Sequence, residues 1–137
     1  MTRRLDDWPT RLNAFIDAAR ERPFAWGTWD CCTFAAAAVE TVTGIALSVP
    51  RRGDYADEEG AMAALAALGC ADVAALAALV LGGDVAPALA QRGDIVLIDV
   101  RPLQPALGVC LGHLVAAVGP SGLAFLPLSA VLRAWRV

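Results

Sequence analysis

The sequence predicts an α+β fold, and three observations carry that expectation. Up to about residue 81 the chain is rich in Ala and Leu, with apolar residues at helical spacing. After Arg92 the texture changes to short apolar runs separated by Gly, Pro and Ser, the signature of strands joined by turns. The helical segments precede the strands and do not alternate with them, so the helices should pack on one face of an antiparallel sheet. At 137 residues the chain should form one domain over positions 1–137, because two halves would each approach the size at which disulfides or metals are needed.

Residues 8–22 read as an amphipathic helix: Leu12, Phe15, Ile16 and Ala19 share one face, with Arg11, Asp17, Arg20 and Glu21 opposite. Pro9 is tolerated in a first turn, and Pro23 should end the helix. Asp30 is a good N-cap for a second helix that starts at Cys31 and runs through the alanines, with Gly44 as its C-cap. After a polar loop at 51–55, residues 57–68 and 72–81 read as two short helices, each led by an aspartate and separated by Gly69. The strand-like runs are 95–98, 106–111, 114–118 and 123–126, with turns at Gly112-His113 and Pro120-Ser121-Gly122.

Composition excludes several function classes. The chain is 58% hydrophobic and 18% charged, with mean hydropathy +0.56, which rules out disorder. It is greasy for a monomer, so self-association or a protein partner should cover apolar surface. All 11 basic residues are Arg, the net charge is −3, and the doublets Arg3-Arg4 and Arg51-Arg52 each have acids close by. No nucleic-acid role is expected. Residues 102–132 carry no Asp, Glu, Lys or Arg. Pro102, Pro105, Pro120 and Pro127 chop that stretch into strand-length pieces, so no membrane span is expected. No signal peptide is visible, because Asp6, Asp7, Arg11 and Asp17 interrupt any apolar run after the basic start.

The four cysteines, Cys31, Cys32, Cys70 and Cys110, form no C-x-x-C, and His113 is the sole histidine. Zinc-site spacing is therefore absent, and neither a metal nor a cofactor is expected. Neighbouring Cys31 and Cys32 suit a disulfide poorly, so reduced thiols are the expected state. In such a chain the tripeptides Arg52-Gly53-Asp54 and Arg92-Gly93-Asp94 are coincidental matches to integrin-binding sequences. Asp94 reads as a capping acid at a strand start, with a charge-partner role as the alternative.

Residues 24–34, Phe-Ala-Trp-Gly-Thr-Trp-Asp-Cys-Cys-Thr-Phe, are the informative segment. A cysteine at a helix N-terminus sits among unpaired N–H groups and the positive end of the macrodipole, which favours the nucleophilic thiolate. The competing reading is a buried, inert cysteine opening an Ala-rich core helix. Trp8, Trp26, Trp29 and Trp135 read as core or groove-wall aromatics. Trp26 and Trp29, flanking the turn, should line a cleft together with Gly27 and Asp30; Ala106 joins that cleft through the family resemblance described next.

Trp26-Gly27, a short spacer, then Asp30-Cys31 leading into a helix resembles the nucleophile motif of the NlpC-type cell-wall cysteine peptidases. Residues 92–97, Arg-Gly-Asp-Ile-Val-Leu, resemble that family's Gly-Asp-hydrophobic strand. Residues 106–112, Ala-Leu-Gly-Val-Cys-Leu-Gly, resemble its following His-Val-Gly-Ile-Tyr-x-Gly strand. The resemblance implies a papain-like α+β domain in which the Cys31 helix packs on the strand beginning near Ala106. It implies Cys31 as the nucleophile position and Ala106 where the catalytic histidine stands. The family's third polar residue falls near Val115–Ala117, all apolar here. His113 lies roughly 20 Å from Ala106 along the hairpin edge at about 3.3 Å per residue, and only a shifted register makes it a base.

The chain's ending, from Gly122-Leu123 to Ala134-Trp135-Arg136-Val137, also resembles a branch of proteins encoded in phage and prophage tail-gene clusters. The expected function is a tail-associated structural or assembly protein on a degenerate peptidase fold, at the tail tip. It would reside in the virion tail, or in the bacterial cytoplasm before assembly, with other tail proteins as partners. The alternative is an active cysteine endopeptidase cleaving peptidoglycan stem peptides, with Cys31 as nucleophile and His113 as base.

Overall fold

The computed structural model describes residues 3–50 and 53–137; the basic doublet Arg51-Arg52 lies outside the described residues. Four helices come first: α1 (Trp8–Ala19), α2 (Cys31–Thr43), α3 (Glu58–Ala67) and α4 (Val73–Leu81). Five strands follow: β1 (Ile95–Ile98), β2 (Ala106–Cys110), β3 (Leu114–Gly119), β4 (Gly122–Pro127) and β5 (Val131–Trp135). They form one antiparallel sheet in the order β4-β3-β2-β1-β5. No helix among the described residues is long and apolar enough to cross a membrane.

The helix starts follow the local chemistry read above. Asp30, Asp57 and Asp72 cap α2, α3 and α4, accepting from the backbone N–H groups of Thr33, Gly60 and Ala75. Each satisfies one of the donors that a helix start leaves unpaired. Gly44 closes α2, its N–H bonded to the Glu40 carbonyl.

Helix α1 stops at Ala19, three residues short of the sequence expectation. The reason lies in the hairpin between β3 and β4. The Arg20 carbonyl accepts from Leu123 N at 2.9 Å, and Phe24 N donates to the Gly119 carbonyl at 3.1 Å. Those groups are thereby withdrawn from a further helical turn. Gly122 makes the docking possible: its φ is +139°, and a Cβ there would overlap the Arg20 carbonyl oxygen.

The central strands of the sheet are buried on both faces, and strand alternation sorts their side chains between two clusters. Ile95, Leu97, Leu107, Val109, Ala116 and Trp135 join the helices, meeting Leu12, Ile16, Phe34, Val39, Val42 and Leu76 in the main core. Val96, Ile98, Cys110, Val115, Val131 and Ala134 form a second cluster, packed against Val85, Ala90 and Val100 from the connecting segments. Strand β1 is buried along its whole length, which is why its sequence is an unbroken apolar run. The expected contact between the Cys31 helix and the strand starting at Ala106 is present: α2 begins at Cys31 and packs on β2.

Strand β5 is an addition to the elements read from the sequence. It pairs with β1, with Trp135 opposite Ile95 and Ala134 opposite Val96. The signal was the run Val131-Leu132-Arg133-Ala134-Trp135, whose exposed Leu132 obscures the alternation of a half-buried strand.

One buried ion pair ties the chain's two ends to the sheet. Arg4 reaches Asp94 Oδ1 at 2.9 Å, the Arg92 carbonyl at 2.7 Å and the Val137 main-chain oxygen at 2.7 Å. Asp94 also accepts from Gln91 N and Val137 N, and is 2% exposed. Removing the carboxylate leaves the Arg4 guanidinium, still bonded to two carbonyls, without its counter-ion and two backbone donors unmatched. Asp94→Ala should therefore lower unfolding stability by about 3 kcal/mol, read as a shift in the urea midpoint at unchanged m. A loss under about 1 kcal/mol, the range of an exposed pair, would contradict this.

Candidate functional site

The site begins with a turn. Ala25 and Trp29 exchange backbone hydrogen bonds, Trp29 N to Ala25 O at 2.7 Å and Ala25 N to Trp29 O at 3.0 Å. Gly27 sits at the tip with φ +76°, a conformation that glycine adopts freely. Asp30 follows in extended geometry and starts α2.

Asp30 is 3% exposed, yet every oxygen of its carboxylate is used. Oδ1 accepts from Thr33 N at 3.0 Å. Oδ2 accepts from Gly27 N at 2.9 Å and from the Tyr55 hydroxyl. Thr33 Oγ1 in turn accepts from Asp30 N at 2.8 Å, completing a capping box in which Thr replaces the usual Glu or Gln. One carboxylate thus fixes the turn before the helix, the first turn of the helix, and the loop that carries Tyr55.

Cys31 is half-buried at the first position of α2, and Cys32 is buried beside it. A hydrogen bond from the Cys32 thiol, and after it one from the Leu107 backbone in β2, hold the Cys31 thiol below its ordinary pKa, against burial and the Asp30 charge. The same hydrogen bond and burial push the Cys32 thiol up. Burial, then the hydrogen bond to Asp30, push the Tyr55 hydroxyl up as well. The neighbouring thiols thus shift in opposite directions, Cys31 down and Cys32 up, and the Tyr55 hydroxyl moves up with Cys32. The direction at Cys31 is the one that a helix N-terminus also favours.

The other sequence-derived residues divide sharply. Gly27 and Trp29 line a groove of ≈ 280 Å³ together with Thr33, while Asp30 lies behind it as the buried anchor. Trp26 stands 39% exposed, edge-on to Phe24 with ring centroids 4.7 Å apart, and is not part of that lining. Ala106 is no cleft wall. It packs against the second cluster, and alternation gives the α2 side of β2 to Leu107. His113 is exposed in the turn between β2 and β3, and is not among the groups acting on Cys31. Asp94 is committed to Arg4.

Tyr55 is the site residue that the sequence reading missed, having been absorbed into a polar loop. Its signal was slight: it is the chain's only tyrosine, and a phenol hydroxyl beside apolar helices needs a partner. Cys110 and Cys70 play no part here; both are buried free thiols, and burial raises Cys110. No group of three or more His, Cys, Asp or Glu among the described residues is placed to hold a metal ion.

Chemically, the arrangement is a thiol shifted toward ionisation at a helix start, with no imidazole beside it. It can attack a reactive electrophile, but it has no group near pKa 7 to shuttle a proton to an amide leaving group.

A family model described as a domain of unknown function (DUF6950) matches residues 3–137. No curated protein and no solved structure matches the chain.

Only the thiolate reacts with iodoacetamide, so the pH profile of Cys31 alkylation, located by mass spectrometry, reports its ionisation. The half-maximal pH should lie below about 8.5, the free-thiol value. Cys32→Ala should raise it by removing the S–H donor. A midpoint at or above the free value, or one indifferent to Cys32→Ala, would show that the pair does not hold the thiolate.

Proposed function

The chain belongs to the DUF6950 family, and we propose that it is a phage- or prophage-encoded tail-associated protein, structural or assembling, built on a degenerate papain-like NlpC-type fold and acting at the tail tip. The observation that carries this reading is the geometry around Cys31. Cys31 opens α2 beside the capping Asp30 carboxylate, and that helix packs on β2, an arrangement that supports the reading. Ala106, which the resemblance puts at the histidine position, is a methyl group turned into the second cluster, so it presents no base to Cys31. A scaffold that keeps the helix start and lacks the base supports assembly over turnover.

The surface supports the same reading. Between Gly60 and Gly83 the only charged residue is Asp72. Met62, Leu68 and Leu79 on and between α3 and α4 are 45%, 47% and 60% exposed. Apolar area of this kind marks a surface that works with a partner.

The second reading, a cysteine endopeptidase acting on peptidoglycan stem peptides, is favoured by one observation, the depressed Cys31 thiol. A positioned acid–base group typically contributes about 10²–10⁴-fold, and catalytic groups that act as a unit fail together. Muropeptides incubated with the wild type should show no cleavage above the blank. In the phage itself, deletion of the gene should yield defective tails, and Cys31→Ala should restore them fully. Wild-type cleavage that disappears in both Cys31→Ala and His113→Ala, or a deletion that Cys31→Ala cannot rescue, would install the enzyme in place of the assembly module.

A further inference from the structure

Tyr55 belongs to the loop before α3, yet its hydroxyl ends in the cluster around Cys31. It donates to Asp30 Oδ2 and lies 3.5 Å from the Pro50 carbonyl oxygen. A phenol has one proton to give, and an ionised carboxylate is the stronger acceptor. The start of α3 seats the residue from the other side. Gly60, in the first turn of that helix, leaves room that a side chain would take: a Cβ there would lie 3.0 Å from Tyr55 Cβ and 3.0 Å from the Asp57 Oδ1 that caps the helix. Glycine weakens a helix relative to alanine, and space for Tyr55 accounts for it here.

The carboxylate that Tyr55 meets is the one that works against ionisation of Cys31. That thiol feels the Cys32 thiol, the Leu107 backbone from β2 and the Asp30 charge, and the last of these opposes loss of its proton. From its loop, Tyr55 faces Asp30 and both thiols. Asp30 also holds the Gly27 turn and caps α2, so its charge has to be tolerated in place. Gly27, Thr33 and Tyr55 supply its donors, and Tyr55 alone comes from outside the turn and the helix start.

We propose that Tyr55 is a positioning residue for Cys31 that acts through Asp30: its hydroxyl draws the carboxylate's charge away from the thiol and holds in place the helix start that presents it. Without the hydroxyl, Asp30 Oδ2 keeps only the Gly27 N–H. Its charge then acts on Cys31 less damped, and the thiol holds its proton to a higher pH. The assembly reading asks nothing of the Cys31 proton, so the inference goes beyond that reading and is tested apart from it.

The test is the pH profile of Cys31 alkylation by iodoacetamide on the full chain, located by mass spectrometry. Tyr55→Phe keeps the ring beside Gly60 and removes only the hydroxyl. Its half-maximal pH should rise by about 0.5 unit, which slows alkylation at pH 7 about threefold. A second form needs no mutation. Tyr55 is the chain's only tyrosine, so growth on 3-fluorotyrosine alters this phenol alone and makes it a stronger hydrogen-bond donor. There the midpoint should fall. In an Asp30→Asn background, where the carboxylate charge is gone, Tyr55→Phe should leave the midpoint where it was. Opposite shifts that depend on the carboxylate are a pattern that general loosening of the loop does not produce. An unchanged midpoint in Tyr55→Phe, or a shift of the same size without the carboxylate, would overturn the proposal. If Tyr55→Phe fails to fold, the fluorotyrosine protein decides: a midpoint at or above the wild-type value refutes the role of Tyr55.

Discussion

The Asp30 carboxylate is the constraint on which the rest of the site depends, because three segments distant in character meet on its two oxygens. It holds the Gly27 turn from one side, the first turn of α2 from another and the Tyr55 loop from a third. Burying a carboxylate this deeply is tolerable only when its lone pairs are matched by donors. The bonds are local for Gly27 and Thr33 and long-range for Tyr55, so the same group sets a turn, a helix register and a tertiary contact. Cys31 inherits its position from that arrangement. Its thiol meets the Leu107 backbone because α2 starts where Asp30 makes it start and packs on β2 along Cys32, Ala35 and Val39.

The division of labour between the two buried carboxylates explains the fold's economy of charge. Asp30 is satisfied entirely by neutral donors and organises the helical side. Asp94 is satisfied by Arg4 and two backbone N–H groups and ties the segments at Arg4 and Val137 to the start of β1. Neither is available for proton transfer at Cys31. The proton chemistry left to the site belongs to Cys32 and Tyr55, both shifted toward keeping their protons. The site lowers the Cys31 thiol without placing beside it a group that can both take and return a proton near neutrality, the role an imidazole fills.

Much of this was legible in the sequence where the signals are local. The three Asp caps, the Gly44 stop, the four helices and the strands β1 to β4 each follow from capping chemistry, periodicity or turn residues within a few positions. What escaped was set by contacts far along the chain. The early end of α1 depends on Leu123 and Gly119 claiming its last backbone groups. Strand β5 needs β1 to reveal it. Ala106 was read as facing Cys31 from its place in a motif, but strand alternation and the second cluster turn it away. Tyr55 could not be assigned to Asp30 across 25 positions without the tertiary fold. The capping role of Asp30 was local and visible; its reach to Gly27 and Tyr55 was not.

The most direct test of this account is amide hydrogen exchange on Asp30→Ala compared with the wild type. Without the carboxylate the Gly27 and Thr33 amides lose their acceptor, and the Tyr55 hydroxyl loses its partner. The account predicts that protection at Gly27, Thr33 and the first turn of α2 collapses by at least about tenfold, as expected for loss of a cap worth roughly 1–2 kcal/mol. Protection in β1, at Val96 and Leu97, should fall only by whatever global stability is lost. Unchanged protection at Gly27 and Thr33 in the variant would contradict the claim that Asp30 holds the site together.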